Sequence, residues 1–73
     1  MKKEFIMENL ECAHCASIME EKIRKLDGVN SVSVNFILQK LVLDAEEDVF
    51  EDILKKAVKI CKKTEPDCKI VIK

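Results

Sequence analysis

Residues 29–45, "VNSVSVNFILQKLVLDA", contain two short runs in which apolar residues occupy every second position. The apolar positions with this spacing are Val32, Val34, Phe36, Leu41, Leu43 and Ala45. Period-two alternation is the pattern of a β-strand that is buried on one face. The sequence therefore predicts two strands, over 29–36 and 40–45, joined as a hairpin by a turn around Leu38 and Gln39.

The segment before this hairpin has helical periodicity. Over 13–26, apolar residues recur at the spacing of one helical face, at Cys15, Ala16, Met19, Ile23 and Leu26. Charged residues on the other positions form the expected exposed i,i+4 pairs Glu20–Arg24 and Glu21–Lys25. Gly28, the only glycine, follows the last apolar position and suits the left-handed conformation that commonly closes a helix.

A second helix is predicted over 48–63. Its apolar positions also have helical spacing, at Phe50, Ile53, Leu54, Ala57, Val58 and Cys61. Acidic residues at its start and lysines at its end complement the helix dipole. Pro66 disfavours helical geometry at the residue before it, so the helix is expected to end ahead of this proline.

Short strands are predicted at both ends of the chain. Residues 3–9 alternate around Phe5 and Met7, and residues 68–73 place Cys68, Ile70 and Ile72 toward the core. The order is strand, helix, strand, strand, helix, strand, and two helices can cover only one face of a four-stranded sheet. We therefore expect one α+β domain over 1–73, a ferredoxin-like βαββαβ fold whose four-stranded antiparallel sheet carries both helices on one face.

Charge and hydropathy exclude several classes of function. Thirteen Lys and Arg against fourteen Asp and Glu give a formal net charge of -1, so no positive field attracts nucleic acid or anionic lipid. The apolar run at 5–7 is too short for a signal peptide. No stretch approaches the about 18 consecutive apolar residues that span a bilayer. We expect a cytoplasmic protein with no nucleic-acid partner and no membrane insertion.

Cys12 and Cys15 form a C-x-x-C pair at the junction between the first strand and the first helix. Unpaired backbone N–H groups and the positive end of the helix dipole favour thiolates there, so both thiols are expected to be acidified. Two soft sulfurs directed at one ion suit Cu(I), Zn(II) and Cd(II) rather than Mg(II) or Ca(II). The pair is thus a candidate metal site.

On spacing alone, the cysteine pair is compatible with three further kinds of site. A structural zinc ribbon needs a second cysteine knuckle, whereas Cys61 and Cys68 are seven positions apart. A thioredoxin-type dithiol would lie at a similar junction, but no proline stands between Cys12 and Cys15. In the third case, the two are ordinary core cysteines.

"ENLECAHCA", followed by "KIRKLDGVNSVSVNF", resembles the heavy-metal-associated domain, whose pattern is roughly G-M-x-C-x-x-C, then L-x-G-V and V-x-V. The resemblance covers nearly the whole chain. It implies the βαββαβ fold, soft-metal binding by Cys12 and Cys15, and transfer of the ion between metallochaperones and P-type metal-transporting ATPases. It implies a binding domain, not an enzyme.

Departures from that pattern point to a subgroup. Asn9 and Leu10 replace the usual Gly-Met, and "KKTEPDCKI" stands where copper-handling members carry a lysine, a tyrosine or a glycine-aromatic loop. The "EPD" loop and Glu11 resemble the zinc/cadmium/lead subgroup, in which an acidic residue before the first cysteine can add an oxygen ligand. Glu11 is thus the predicted third ligand, since divalent ions commonly take carboxylate oxygen besides sulfur. A solvent-exposed loop acid is the alternative for Glu11.

The resulting functional prediction is the cytoplasmic N-terminal domain of a zinc/cadmium/lead-transporting P-type ATPase. Its partners would be the ion and another ATPase or metallochaperone domain, with the chain a monomer and a metal-bridged dimer as the alternative. Two other functions stay open: a free-standing copper(I) chaperone, and a small dithiol oxidoreductase.

The remaining cysteine, histidine and acidic residues near the motif are expected to lie on the surface or in the core. We expect His14 to face solvent, Cys61 to lie in the core, and Cys68 to lie in the core or at a strand edge. Glu65 and Asp67 are surface acids in a loop that approaches the metal site in this family, where they could add negative potential.

The uncovered face of the sheet is the last predicted feature. Ile6, Val42 and Val71 occupy the outward phase of strands expected to lie side by side. They predict a small exposed apolar stripe, with docking of a partner as the hypothesis and ordinary exposed aliphatic residues as the alternative.

Overall fold

A computed structural model describes residues 1–72. In chain order, its elements are β1 (Lys2–Glu8), α1 (Ala13–Arg24), β2 (Val29–Asn35), β3 (Lys40–Ala45), a 3₁₀ turn (Glu47–Val49), α2 (Phe50–Thr64) and β4 (Lys69–Val71). The strands form one sheet in the order β2-β3-β1-β4, and each neighbouring pair is antiparallel. This is the predicted ferredoxin-like fold. The last residue of the predicted final strand, 73, lies outside the described residues.

The core lies between the sheet and the two helices. Inward side chains of the strands and helices form one buried cluster that includes Phe5, Met7, Met19, Ile23, Leu41, Leu43, Phe50, Ile53 and Ala57. The outward strand positions are exposed or half-buried, as Ile6 shows with 53% exposure. Both helices therefore cover the same face, because a single face of the sheet contributes to the core.

Gly28 has the predicted left-handed conformation, with φ at 95°. It lies in the turn between α1 and β2, and its carbonyl accepts a hydrogen bond from the backbone N–H of Glu46 at 3.0 Å. A Cβ at this position would come within 2.9 Å of Ile53 Cδ1 and Val49 Cγ2. Both backbone conformation and packing against the start of α2 therefore favour glycine here.

Two predictions about side chains were wrong. Glu20 does not pair with Arg24; its carboxylate accepts a hydrogen bond at 2.9 Å from the backbone N–H of Val34 on β2, and Arg24 pairs with Glu21 instead. Because β2 is an edge strand, its outward N–H groups need acceptors from outside the sheet. Ile72 is 56% exposed rather than buried, because strand pairing ends at Val71.

The open sheet face carries a smaller apolar patch than predicted. Ile6 and Val71 are register partners, but Val42 lies opposite Glu4, and Ile6 lies opposite Lys40. Lys40 Nζ and Glu4 Oε1 form an ion pair at 2.9 Å between the apolar positions. Neither helix in the part of the chain that the structure describes is long and apolar enough to cross a bilayer.

Candidate metal centre

Three loops meet at the end of the sheet where β1 stops. The β1–α1 loop contains Cys12, and Cys15 follows it in the first turn of α1. The β2–β3 turn contains Gln39, and the α2–β4 loop contains Glu65. Gln39 Oε1 accepts a hydrogen bond from the Leu10 N–H at 3.0 Å, and Glu65 Oε1 accepts one from the Glu11 N–H at 3.4 Å. The cysteine loop is thus tied on both sides by side chains that are distant in sequence.

Cys12 is the N-cap of α1. Its backbone is extended, and its Sγ accepts a hydrogen bond at 3.2 Å from the backbone N–H of Cys15. The thiol sulfur takes the place that Ser, Thr, Asp or Asn oxygen usually fills at a helix start. Cys15 lies in the first turn, both residues are half-buried, and both are free thiols. The structure therefore brings the predicted pair together, with one cysteine at the end of the loop and the other in the first turn of the helix.

The two thiols differ in acidity. Hydrogen bonds from the Cys15 side chain and backbone lower the pKa of Cys12 below its ordinary value. The pKa of Cys15 is raised to about 11, because its thiol hydrogen-bonds to Cys12, because it is partly desolvated, and because Cys12 and Glu65 add negative charge. The expectation that both thiols are acidified was wrong for Cys15. The helix start stabilises one thiolate, and that thiolate disfavours ionisation of its neighbour.

Glu65 brings a carboxylate to this loop. Its Oε1 contacts the Glu11 N–H, and its Oε2 is buried and has no hydrogen-bond partner among the described residues. Burial raises the pKa of Cys68, and the negative charge of Glu65 adds to this increase, as it does to that of Cys15. The side chain of Glu11 is exposed, and Glu11 contributes its backbone N–H to the contact with Glu65. Spatially, Glu65 is the better-placed acid.

No group of three His, Cys, Asp or Glu side chains within residues 1–72 is already close enough to hold a metal ion. Cys12 and Cys15 are thus a candidate site with two sulfur atoms, and a divalent ion bound there would need further ligands from a side-chain movement, from water or from another molecule. Such an open site suits an ion that is passed on, because an incoming ligand has room to bind.

The other predicted residues lie where expected. Cys61 is buried in the core, and burial raises the pKa of its thiol to about 12. Cys68 is also buried, and its backbone N–H donates a hydrogen bond to the Glu65 carbonyl at 2.9 Å. His14 and Asp67 are exposed.

Gln39 is a residue of this region that the sequence pattern did not single out beyond its place in a turn. Its side-chain amide contacts the main chain of Leu10 at both Oε1 and Nε2, and Nε2 also contacts the Phe36 carbonyl. An amide in a turn has no periodic signature, so the contact depends on a tertiary arrangement that spacing does not reveal.

Comparisons with known proteins agree with this fold. The family model of the heavy-metal-associated domain matches residues 4–64. The zinc/cadmium/lead-transporting P-type ATPase of Escherichia coli (strain K12) is 43% identical over 54 residues, which are 70% of this chain and 7% of that protein. The chain thus spans less than a tenth of the length of that relative.

Copper-handling proteins are also similar. The copper chaperone CopZ of Enterococcus hirae is 34% identical over 47 residues, covering 64% of this chain and 68% of the chaperone. The solution structure of the N-terminal domain of the copper(I) ATPase PacS in its apo form matches with a TM-score of 0.76 at 28% identity, covering 100% of this chain and 94% of that domain. Because the family model matches most of this chain, the chain belongs to the heavy-metal-associated domain family.

Proposed function

We propose that Cys12 and Cys15 bind a soft divalent ion, Zn(II), Cd(II) or Pb(II), and pass it to a thiolate site on another domain. Binding of heavy metals is the property of the family, and the domain is not itself catalytic. The observation that carries the assignment to these residues is the helix start, where the Cys12 sulfur lies 3.2 Å from the Cys15 N–H and both thiols are accessible.

Transfer follows from the openness of the site. An incoming thiolate binds the ion while both Cys12 and Cys15 are still attached, and one of these sulfurs then leaves and takes up a proton. Cys15 is the better candidate to leave first, because its thiol form is favoured by hydrogen bonding and by nearby negative charge. The ion is exchanged between ligands without ever being free in solution.

A nearby carboxylate supports the preference for a divalent ion. Cu(I) is satisfied by two thiolates, whereas Zn(II) commonly takes four ligands that can include carboxylate oxygen. Glu11 was the ligand predicted from sequence, but Glu65 has a buried Oε2 without a hydrogen-bond partner among the described residues. We therefore place Glu65 ahead of Glu11 as the oxygen ligand.

Matched substitutions separate the two acids. Glu65→Gln keeps the shape of the side chain and removes its charge, and Glu11→Gln does the same one residue before Cys12. We expect Glu65→Gln to lower Cd(II) affinity by about 10-fold or more, and Glu11→Gln to leave it nearly unchanged. Cu(I) affinity should change little in both variants. If Glu11→Gln lowered Cd(II) affinity more than Glu65→Gln, Glu11 would be the oxygen ligand.

The protein context is proposed from the relatives. On the similarity to the zinc/cadmium/lead-transporting ATPase, we propose that the chain is a cytoplasmic N-terminal domain of such a transporter. We further propose that it acts as a monomer. Transfer to a partner domain is tested by mixing Cd(II)-loaded chain with an apo domain of the same family and following backbone NMR shifts of both. If Cd(II) stayed on this chain in the presence of excess partner thiolates, the result would argue against a transfer function.

A copper chaperone is the second candidate. It is favoured by the similarity that covers 68% of a copper chaperone. The coordination of Cd(II) distinguishes the candidates: a carboxylate or water oxygen beside two sulfurs supports the divalent assignment, whereas sulfur-only coordination with an ion shared between two chains supports the copper type. Cadmium NMR and X-ray absorption of the loaded chain provide this measurement.

A further inference from the structure

Gln39 has an unusual backbone for its residue type. Its φ is 53°, in the left-handed region where glycine is favoured and a long side chain is disfavoured. Its backbone carbonyl accepts a hydrogen bond from the Met7 N–H at 2.8 Å, so the strained residue lies directly against the end of β1. A residue in this conformation needs compensation from its surroundings.

The side-chain amide supplies that compensation. Oε1 accepts from the Leu10 N–H at 3.0 Å, while Nε2 donates to the Leu10 carbonyl at 2.6 Å and to the Phe36 carbonyl at 2.7 Å. The acceptor and both donors of the amide group are therefore used, which few other side chains could achieve. Leu10 is 2% exposed, so solvent has little access to replace these contacts.

These contacts fix the start of the metal-binding loop. Leu10 lies two positions before Cys12, the residue whose sulfur caps α1. With both main-chain groups of Leu10 held by Gln39, the chain enters the cysteine loop at one position and in one direction. The loop is held there by a side chain of the β2–β3 turn, an element with no ligand of its own.

We infer that Gln39 is a positioning residue that latches the metal-binding loop to the β2–β3 turn, keeping Cys12 and Cys15 in a common geometry and slowing release of the ion. This inference rests on the proposed function, since it concerns the same two sulfurs. In this inference, Gln39 affects metal binding although it contacts neither the ion nor the thiols. Residues that orient metal ligands commonly affect metal affinity by about 10-fold or more.

The test uses Gln39→Gly, which removes the latch and also relieves the left-handed backbone. Asn9→Gly is the matched control, because Asn9 also has a positive φ, at 61°, is exposed, and lies in the loop itself. Gln39→Glu keeps an acceptor for Leu10 but places a carboxylate against two carbonyl oxygens, so its effect should be larger than that of Gln39→Gly.

We expect the Leu10 amide of the apo Gln39→Gly chain to exchange its hydrogen much faster, while the Met7 amide, bonded to a backbone carbonyl that remains, keeps its protection. Release of Cd(II) to a chelator should be about 10-fold faster than in the unaltered chain. Asn9→Gly should change neither the hydrogen exchange of the Leu10 amide nor the rate of Cd(II) release. The urea midpoint of Gln39→Gly should fall, because relief of the left-handed backbone offsets only part of the loss of three hydrogen bonds.

Two results would overturn the inference while leaving the proposed function intact. One is unchanged Leu10 exchange in Gln39→Gly. The other is a Cd(II) release rate that equals that of Asn9→Gly, or that rises only in proportion to a general loss of stability. If the unaltered chain bound no Cd(II), the proposed function would be wrong. The proposed role of Gln39 in metal binding would then be rejected with it.

Discussion

The affinity for Cd(II) should increase steeply with pH, because binding must remove protons from the thiols. The pKa of Cys15 is about 11, so this thiol is protonated throughout the range around pH 7 and must release its proton to the solvent when the ion binds. The pKa of Cys12 is lowered, so this residue contributes a second proton only at pH values below that lowered pKa. Affinity is therefore lost as pH falls.

The expected slope follows from the proton count. Each released proton makes the apparent affinity change by about 10-fold per pH unit. Between about pH 7 and pH 8.5 we expect a slope of at least one decade per unit, approaching two where Cys12 is also protonated. The sequence position suggested that both thiols are acidified. If both pKa values lay well below about 7, the affinity for Cd(II) in this range would be independent of pH.

Competition titrations with a chromophoric chelator of known pH dependence measure this slope, and proton release into weakly buffered solution gives an independent count. His14→Asn is the control, because His14 is exposed and stands between the two cysteines in the sequence. The variant should have the same slope as the unaltered chain. A flat profile between about pH 7 and pH 8.5 would refute the assignment of a high pKa to Cys15.

Three further outcomes are expected for the fold. Gly28→Ala should lower the free energy of unfolding by about 2–3 kcal/mol in urea titrations, since it adds a disfavoured φ and crowding against two side chains; a loss below about 0.5 kcal/mol would contradict this. Glu20→Ala should speed hydrogen exchange at the Val34 amide and cost about 1 kcal/mol, whereas unchanged exchange there would mean that the contact does not form. Alkylation of the native apo chain, followed by mass spectrometry, should spare Cys61 and Cys68 until urea unfolds the chain, and early modification of both would contradict their burial.

The fold was predictable because each element buries one face. Alternation in 29–45 and helical spacing in the two helices give the order of elements and the inward residues, as Leu41 and Leu43 show with no exposure. The ends of the elements were predicted less accurately. Helix α1 ends at Arg24 rather than at residue 26, because the chain turns before the last apolar residue. Ends depend on local contacts rather than on periodicity.

Of the candidate site, only the two cysteines were predictable from the sequence. Cys12 and Cys15 are identified by a local motif, and the structure brings them together at the predicted helix start. Glu65 and Gln39 contact the cysteine loop from segments that are distant in sequence. The resemblance to the zinc/cadmium/lead subgroup pointed to Glu11 instead. The difference in pKa between the two thiols depends on which sulfur accepts the N-cap hydrogen bond.

Titration with Cd(II), followed by the sulfur-to-metal charge-transfer absorbance, tests whether one soft ion is bound by Cys12 and Cys15. We expect saturation at one ion per chain, loss of tight binding in Cys12→Ser and in Cys15→Ser, and normal binding in Cys61→Ala, whose thiol lies in the core. Tight Cd(II) binding that persisted in the Cys12→Ser/Cys15→Ser double variant would contradict the proposed metal centre.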